Sequence, residues 1–249
     1  MKSVSHYRFG SHILLIATAA LLSAGAFSTA FAWGGKSVTG SGRMVEDVRL
    51  VSGYNRVELK GAMDVELRQS GKEGVIIFAD DNIAPLIRAT VNDKTLVMDS
   101  NASWSTRLKM RVIIDMISLT GISVSGSGDI RGSNLKSPEL EIGISGSGDV
   151  AFEGLSTDAL KVKISGSGDF RASGSAKSQT FSIAGSGDIR AEGLAGDYVK
   201  VRIAGSGDAR VWPNDALDAV IMGSGDVRYK GKPANLSKKV LGSGDVSEL

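Results

Sequence analysis

The tetrapeptide Gly-Ser-Gly-Asp occurs seven times, starting at Gly126, Gly146, Gly166, Gly185, Gly205, Gly223 and Gly242, at steps of 20, 20, 19, 20, 18 and 19 residues. A motif at a nearly fixed period marks a repeat architecture, in which one unit cannot bury its own apolar face and must stack on the next. The residues around each copy alternate with a period of two. Leu160, Val162, Ile164, Gly166, Gly168, Phe170 and Ala172 share one parity, with Lys161, Lys163, Ser165, Ser167, Asp169 and Arg171 on the other. This is strand periodicity, with no helical pattern competing. A coil of about 20 residues at roughly 3.3 Å each accommodates two or three short strands and their bends. The spacing therefore predicts an all-β, single-stranded β-helix-like solenoid, one coil per repeat.

Each letter of the repeat carries an expectation. The glycines fall on the inward parity, which implies either a pinched core or a bend that only Gly tolerates. A phosphate-cradling glycine loop would have to open a helix, whereas strands follow here. The outward parity makes Ser127, Ser147, Ser167, Ser186, Ser206 and Ser224 one column, and Asp129, Asp149, Asp169, Asp188, Asp208 and Asp226 another. Two carboxylates about 4.8 Å apart repel by about 1 kcal/mol in water and roughly 3 to 4 at an effective dielectric of 20. Arg131, Arg171, Arg190, Arg210 and Arg228 follow five of the aspartates at i+2 on the same face, so a basic column is expected to neutralise the acidic one, with serine hydroxyls donating to the carboxylates. Calcium is the less favoured alternative, because calcium-binding nonapeptides separate the second Gly from the Asp and have half this period. These Ser, Asp and Arg columns are the candidate binding face; no cofactor is expected.

Residues 1–32 have the layout of a secretory signal peptide: Lys2 and Arg8, an apolar run from Ile13 to Leu22, and Ala30-Phe31-Ala32 as a small-x-small cleavage site. The apolar run is short for a membrane span, so none is expected after cleavage. His6 and His12 are the only histidines and there is no cysteine, so the exported chain would lack Ser-His-Asp and Cys-His catalysis and the usual zinc ligands. Without Lys2 and Arg8 the charges balance at 27 to 27, which gives no reason to expect nucleic acid. Export to the periplasm or cell surface follows.

Residues 33–45 read as a flexible lead-in and 46–249 as one solenoid domain, with 46–120 an irregular capping half and 121–249 the repeat half. In the capping half, strands are predicted at Arg56 to Lys60, Val65 to Arg68, Val75 to Ala79, Thr95 to Asp99, Leu108 to Ile114 and Ile117 to Val124. One short helix is predicted over Ile83 to Ala89, with Asp80-Asp81-Asn82 as capping oxygens and Pro85 near its start. Gly61-Ala62-Met63-Asp64 reads as a decayed copy of the tetrapeptide. Trp212 before Pro213 is read as a loop between coils.

The run Gly53-Tyr54-Asn55-Arg56-Val57-Glu58-Leu59-Lys60-Gly61, then Val65 to Gly71, Val91 to Met98 and the repeats themselves, resembles the GIN domain of auto-transporter adhesin heads over roughly Val51 to Asp245. The resemblance implies a right-handed, β-helix-like fold in exported bacterial proteins, and supplies no catalytic residues. The expected role is a non-enzymatic, adhesin-like or scaffold module presenting its Ser/Asp/Arg surface to a cell-envelope polysaccharide or protein. The alternative is a β-helix carbohydrate-active enzyme, a lyase or hydrolase working with carboxylates and Lys or Arg. Self-association through the edge of the last coil is a further expectation, opposed by Lys230, Lys232, Pro233, Lys238 and Lys239.

Overall fold

The computed structural model describes residues 37–249; the expected leader and the first residues of the lead-in lie outside them. The chain is nearly all β and forms a solenoid of about six turns with coils of about 20 residues. The strands are β1 (Ser37–Thr39), β2 (Met44–Arg49), β3 (Arg56–Gly61), β4 (Val65–Arg68), β5 (Gly74–Asp80), β6 (Ile87–Asn92), β7 (Thr95–Ser100), β8 (Ser103–Ser105), β9 (Arg111–Asp115) and β10 (Gly121–Gly126). The repeat half continues with β11 (Ile130–Ser133), β12 (Lys136–Gly146), β13 (Val150–Gly166), β14 (Phe170–Gly185), β15 (Ile189–Gly205), β16 (Ala209–Gly223), β17 (Val227–Tyr229), β18 (Asn235–Gly242) and β19 (Val246–Glu248). Among the described residues no helix is long and apolar enough to cross a membrane.

Successive coils pair in parallel and in register through the repeat, so Gly146 lies on Gly126, Gly166 on Gly146 and Gly185 on Gly166. Along β13 the core-facing residues are Val150 and Phe152, then Leu155 and Thr157, then Leu160, Val162 and Ile164. The parity slips at Glu153-Gly154 and at Asp158-Ala159, where two consecutive residues stay outside the core. Each slip is a bend, and the glycine tetrapeptide is the third, so one long strand wraps three sides. The interior is a column of Val, Ile, Leu and Ala with a short aromatic stack, Phe152 edge-on to Phe170 at 6.4 Å and Phe170 beside Phe181 at 6.2 Å.

Polar side chains close the inner corner. Thr157 donates its hydroxyl to Ala159 O at 3.1 Å, and Ser137, stacked on it, lies 2.6 Å from Glu139 O. The next coil has Ala176 at this position, and Gln179 supplies the missing donor: its buried amide reaches Ala176 O at 3.2 Å and Leu194 O at 3.1 Å.

The first half shares the coil's rung but not its order. Gly61 lies under Gly126 and Val65 under Ile130, so Gly61-Ala62-Met63-Asp64 occupies the corner in register with the repeats. Strands β7 and β9 pair with the opposite edges of β3 and β4, so the later segment lies farther out and the chain crosses back before β10. Met63 is buried where the repeats have their second glycine, because the chain between β7 and β9 leaves the coil path and no backbone presses on it. Antiparallel strands finish this end: β6 against β7, and β2 against β5 against β9. Tyr54 is buried among them, donating its hydroxyl to Asp115 O at 2.5 Å and accepting from Gly74 N–H at 3.1 Å; burial pushes its phenol pKa up.

Three expectations are corrected. The helix over Ile83 to Ala89 is a single 3₁₀ turn, Ala84–Leu86, followed by β6. Alternating Ile87, Ala89 and Val91 favour a strand, Asp93 and Lys94 adopt the left-handed backbone of a two-residue hairpin turn, and Arg88 clasps Asp99 across it at 2.7 and 2.8 Å. The lead-in is structured from Ser37: β1 pairs with β8, and Gly40-Ser41-Gly42 wraps the Asp80 carboxylate. Trp212-Pro213 lies within β16, with Lys230 Nζ 3.9 Å above the indole.

Candidate functional site

The tetrapeptide corner is built from backbone contacts. The first glycine has φ between +125° at Gly126 and +147° at Gly223, a left-handed conformation that a side chain would strain. It stands half-exposed at the bend in the five inner copies and exposed at Gly126 and Gly242, and so does not pinch the core, contrary to the inward parity. The second glycine is buried in every copy but the last, and a Cβ at Gly168 would sit 2.2 Å from Gly148 O of the coil beneath. It is there so that two backbones can approach. The carbonyl of the first glycine accepts two N–H groups from the next coil, as Gly126 O does from Ser147 at 2.9 Å and Gly148 at 3.1 Å.

At the next residue the bend carries the backbone carbonyls away, leaving the aspartate N–H without a partner. The aspartate below fills the gap. Asp149 N–H donates to Asp129 Oδ1 at 3.1 Å, Asp169 to Asp149 at 2.8 Å and Asp188 to Asp169 at 2.9 Å. The ladder continues from Asp208 to Asp188 at 2.9 Å, Asp226 to Asp208 at 2.8 Å and Asp245 to Asp226 at 3.0 Å. Six of the seven carboxylates, Asp129 to Asp226, thus accept a charge-assisted bond from the backbone, which offsets the repulsion along the column.

The arginines contribute less than expected. Arg131 pairs with Asp129 at 3.2 Å and Arg228 with Asp226 at 3.4 Å, while Arg190 bridges Asp169 at 3.0 Å and Asp188 at 3.1 Å. Arg171 and Arg210 form no ion pair among the described residues, and no repeat serine hydroxyl donates to an aspartate. Ser127, Ser147, Ser167, Ser186, Ser206 and Ser224 are all exposed. The columns are therefore brought together as anticipated, but Gly and Asp are engaged in stacking and the serines, Arg171 and Arg210 are left facing solvent. Among the described residues no three His, Cys, Asp or Glu side chains gather as a metal site.

One feature near the corner has no sequence signature. A cleft of about 870 Å³ opens where the capping half meets the first repeat, along β4, β11 and the segment Lys109–Arg111. It collects Asp64, Glu66, Asp129 and Glu153 with Arg68, Lys109, Arg111 and Arg131. Arg68 pairs with Asp115 at 2.9 Å, and Arg111 lies 3.8 Å from Glu66 and 5.1 Å from the Phe78 ring centroid. These residues are scattered along the sequence and only the crossing-back of the chain assembles them.

A family model described as "Putative auto-transporter adhesin, head GIN domain" matches residues 53–233. A crystal structure of a "putative adhesin" from Bacteroides fragilis aligns with TM-score 0.80 at 28% identity, covering 86% of this chain and 100% of that one. A "putative adhesin" from Parabacteroides distasonis aligns with TM-score 0.70 at 28% identity over 86% and 100% of the two chains. A "putative lipid binding protein" from the same species gives 0.68 at 25% identity over 86% and 100%. No curated protein matches the sequence.

Proposed function

The chain belongs to the head GIN domain family of auto-transporter adhesins, and from that membership we propose that it is an exported, non-catalytic attachment module whose repeat face meets a cell-envelope polymer or protein. The observation that carries this reading is the division of labour at the corner. Stacking uses both glycines and the aspartate of each repeat, while a serine stays exposed on every rung with its hydroxyl uncommitted. Weak contacts repeated at rung spacing add along an extended ligand. Co-sedimentation of the purified protein with isolated cell-envelope material tests the reading. Replacing Ser147, Ser167 and Ser186 together by Ala, which removes the exposed hydroxyls without adding charge, is expected to reduce binding by about tenfold with an unchanged melting temperature. Unchanged binding by this variant contradicts it.

A second reading, a carbohydrate-active enzyme, draws on the cleft, where Asp64 and Glu153 form no ion pair among the described residues and stand with Lys109 in a concave site. Release of reducing or unsaturated sugar ends from envelope polysaccharide would favour it over attachment.

A further inference from the structure

Away from the corner, the outward face of the longest side carries a second arrangement of charge. Register places Glu141, Lys161, Thr180, Lys200 and Asp218 in one row across β12 to β16, and Gly143, Lys163, Ser182, Arg202 and Val220 in the adjoining row. The residues between them, Val162, Phe181 and Val201, are buried, so both rows face solvent. Thr180 and Ser182 form a hydroxyl floor with two cations one rung away on either side, about 4.8 Å in each direction. The two carboxylates lie a rung farther out, about 9.6 Å from that floor.

Four cations stand beside these two carboxylates, mostly loosely, with Glu139 also acting on Lys161 and Arg56 on Glu141. Lys161 is 3.2 Å and Lys163 3.6 Å from Glu141, while Lys200 is 3.9 Å and Arg202 3.7 Å from Asp218. Arg202 Nη1 is closed off from solvent with no acceptor. The Glu141 carboxylate, hydrogen-bonded to Lys161, holds that lysine's pKa up, so the lysine stays charged. The cations on the rungs flanking Thr180 and Ser182 outnumber the carboxylates, and two hydroxyl donors lie between them.

Beside this patch stands an aromatic ring that no core contact explains. Tyr198 is 61% exposed and shares the outward parity of Lys200 and Arg202, two and four residues along β15. Its register neighbours are Ser178 and Ala216, too small to cover it. Two residues of strand span about 6.6 Å, so a sugar ring resting on Tyr198 brings a neighbouring acidic group within reach of the lysines.

We propose that this face binds an acidic polysaccharide, with a carboxylate or sulfate group held over Thr180 and Ser182 by Lys161, Lys163, Lys200 and Arg202 and a sugar ring stacked on Tyr198. The inference rests on the attachment reading and names the ligand class for a face other than the serine column. An exposed ring on a polar sheet suits a glycan better than a lipid surface, which would need apolar side chains to insert.

Titration calorimetry with a polygalacturonate hexamer and a heparin hexasaccharide, with neutral maltohexaose as control, tests it. At least one acidic oligosaccharide is expected to bind and the neutral one not, with binding weakened in 0.5 M salt. The double variant Lys161→Gln/Lys200→Gln and the single variant Tyr198→Ala should each lose about tenfold in affinity with unchanged melting temperature. Lys72→Gln/Arg107→Gln removes the same charge from exposed positions outside both faces and should change affinity by less than about twofold. Equal loss in that control, no effect of Tyr198→Ala, or stronger binding to phosphatidylglycerol vesicles than to either oligosaccharide overturns the proposal. Failure of both acidic oligosaccharides also overturns it; if envelope material still binds through the serine column, the attachment reading stands alone.

Discussion

Asp208 shows what the repeated aspartate does, because among the described residues its carboxylate has no arginine partner and its Oδ1 accepts only the Asp226 N–H, at 2.8 Å. Asp208→Ala removes that acceptor and leaves a backbone donor orphaned at the bend, which should cost about 1–3 kcal/mol in urea unfolding. Asp208→Asn keeps an oxygen in the same place and should cost well under half as much. Asp80 is a different case: it is fully buried, and its carboxylate is held below the usual carboxylate range first by the Thr106 hydroxyl at 2.5 Å and then by Gly42 N–H at 2.6 Å. A lowered folded-state pKa means the contribution is fully present above the unfolded value near pH 4 and is lost as pH falls through the folded one. Below about pH 4, the protection of the Gly42 amide, taken relative to the intrinsic exchange rate at each pH, should fall before the repeat half opens, and Asp80→Asn should abolish that pH dependence. The aspartate column was legible from the period alone. Its partner was not, since a backbone N–H has no letter in the sequence and the i+2 arginines drew attention to charge pairing instead.

Among the elements, β18 departs most from its neighbours: every residue is exposed, and it pairs only with β16 among the described strands. Leu236 and Val240 stack on the buried Leu217 and Ile221, yet remain 41% and 38% exposed because, among the described residues, no coil lies above them. Between them Lys238 stacks on Ala219, and its ammonium crosses the open end to Val246 O at 2.6 Å, with the Tyr229 ring centroid 5.6 Å away. An inward-placed charge on an edge strand opposes pairing with another chain. Lys238→Leu should therefore give concentration-dependent association in analytical ultracentrifugation, with the parent protein sedimenting as a smaller species at equal concentration. Equal sedimentation would show that Lys238 does not guard this edge. In the capping half β3, β4, β5 and β7 followed from their alternation, and Val65–Arg68 coincides with its expected bounds, whereas the strands expected from Leu108 and from Ile117 begin only at Arg111 and Gly121. The helix failed because Pro85 and three acidic or amide oxygens mimic a helix start, while Asn82 uses its oxygen on Ser41 N–H and Asp80 uses its own on Gly42.

For the whole molecule, the solenoid itself was readable because a 20-residue period leaves few alternatives to stacking. The reversed order of β3/β4 and β7/β9 was not, since both segments have equal strand character and nothing local records which lies outermost. The cleft inherits that opacity, being assembled from segments on both sides of the crossing. Everything said of the surface depends on coils held in register at the tetrapeptide corner, with each aspartate side chain serving as the acceptor its neighbour's backbone lacks. Residue-resolved amide hydrogen exchange measures this directly and contains its own control. Asp129 is the first in the ladder, and its N–H has no carboxylate beneath it, because the decayed copy at Asp64 makes no such bond. The amides of Asp149, Asp169, Asp188 and Asp208 should be strongly protected and that of Asp129 should exchange fast; fast exchange at all five, or equal protection at Asp129, would contradict the account.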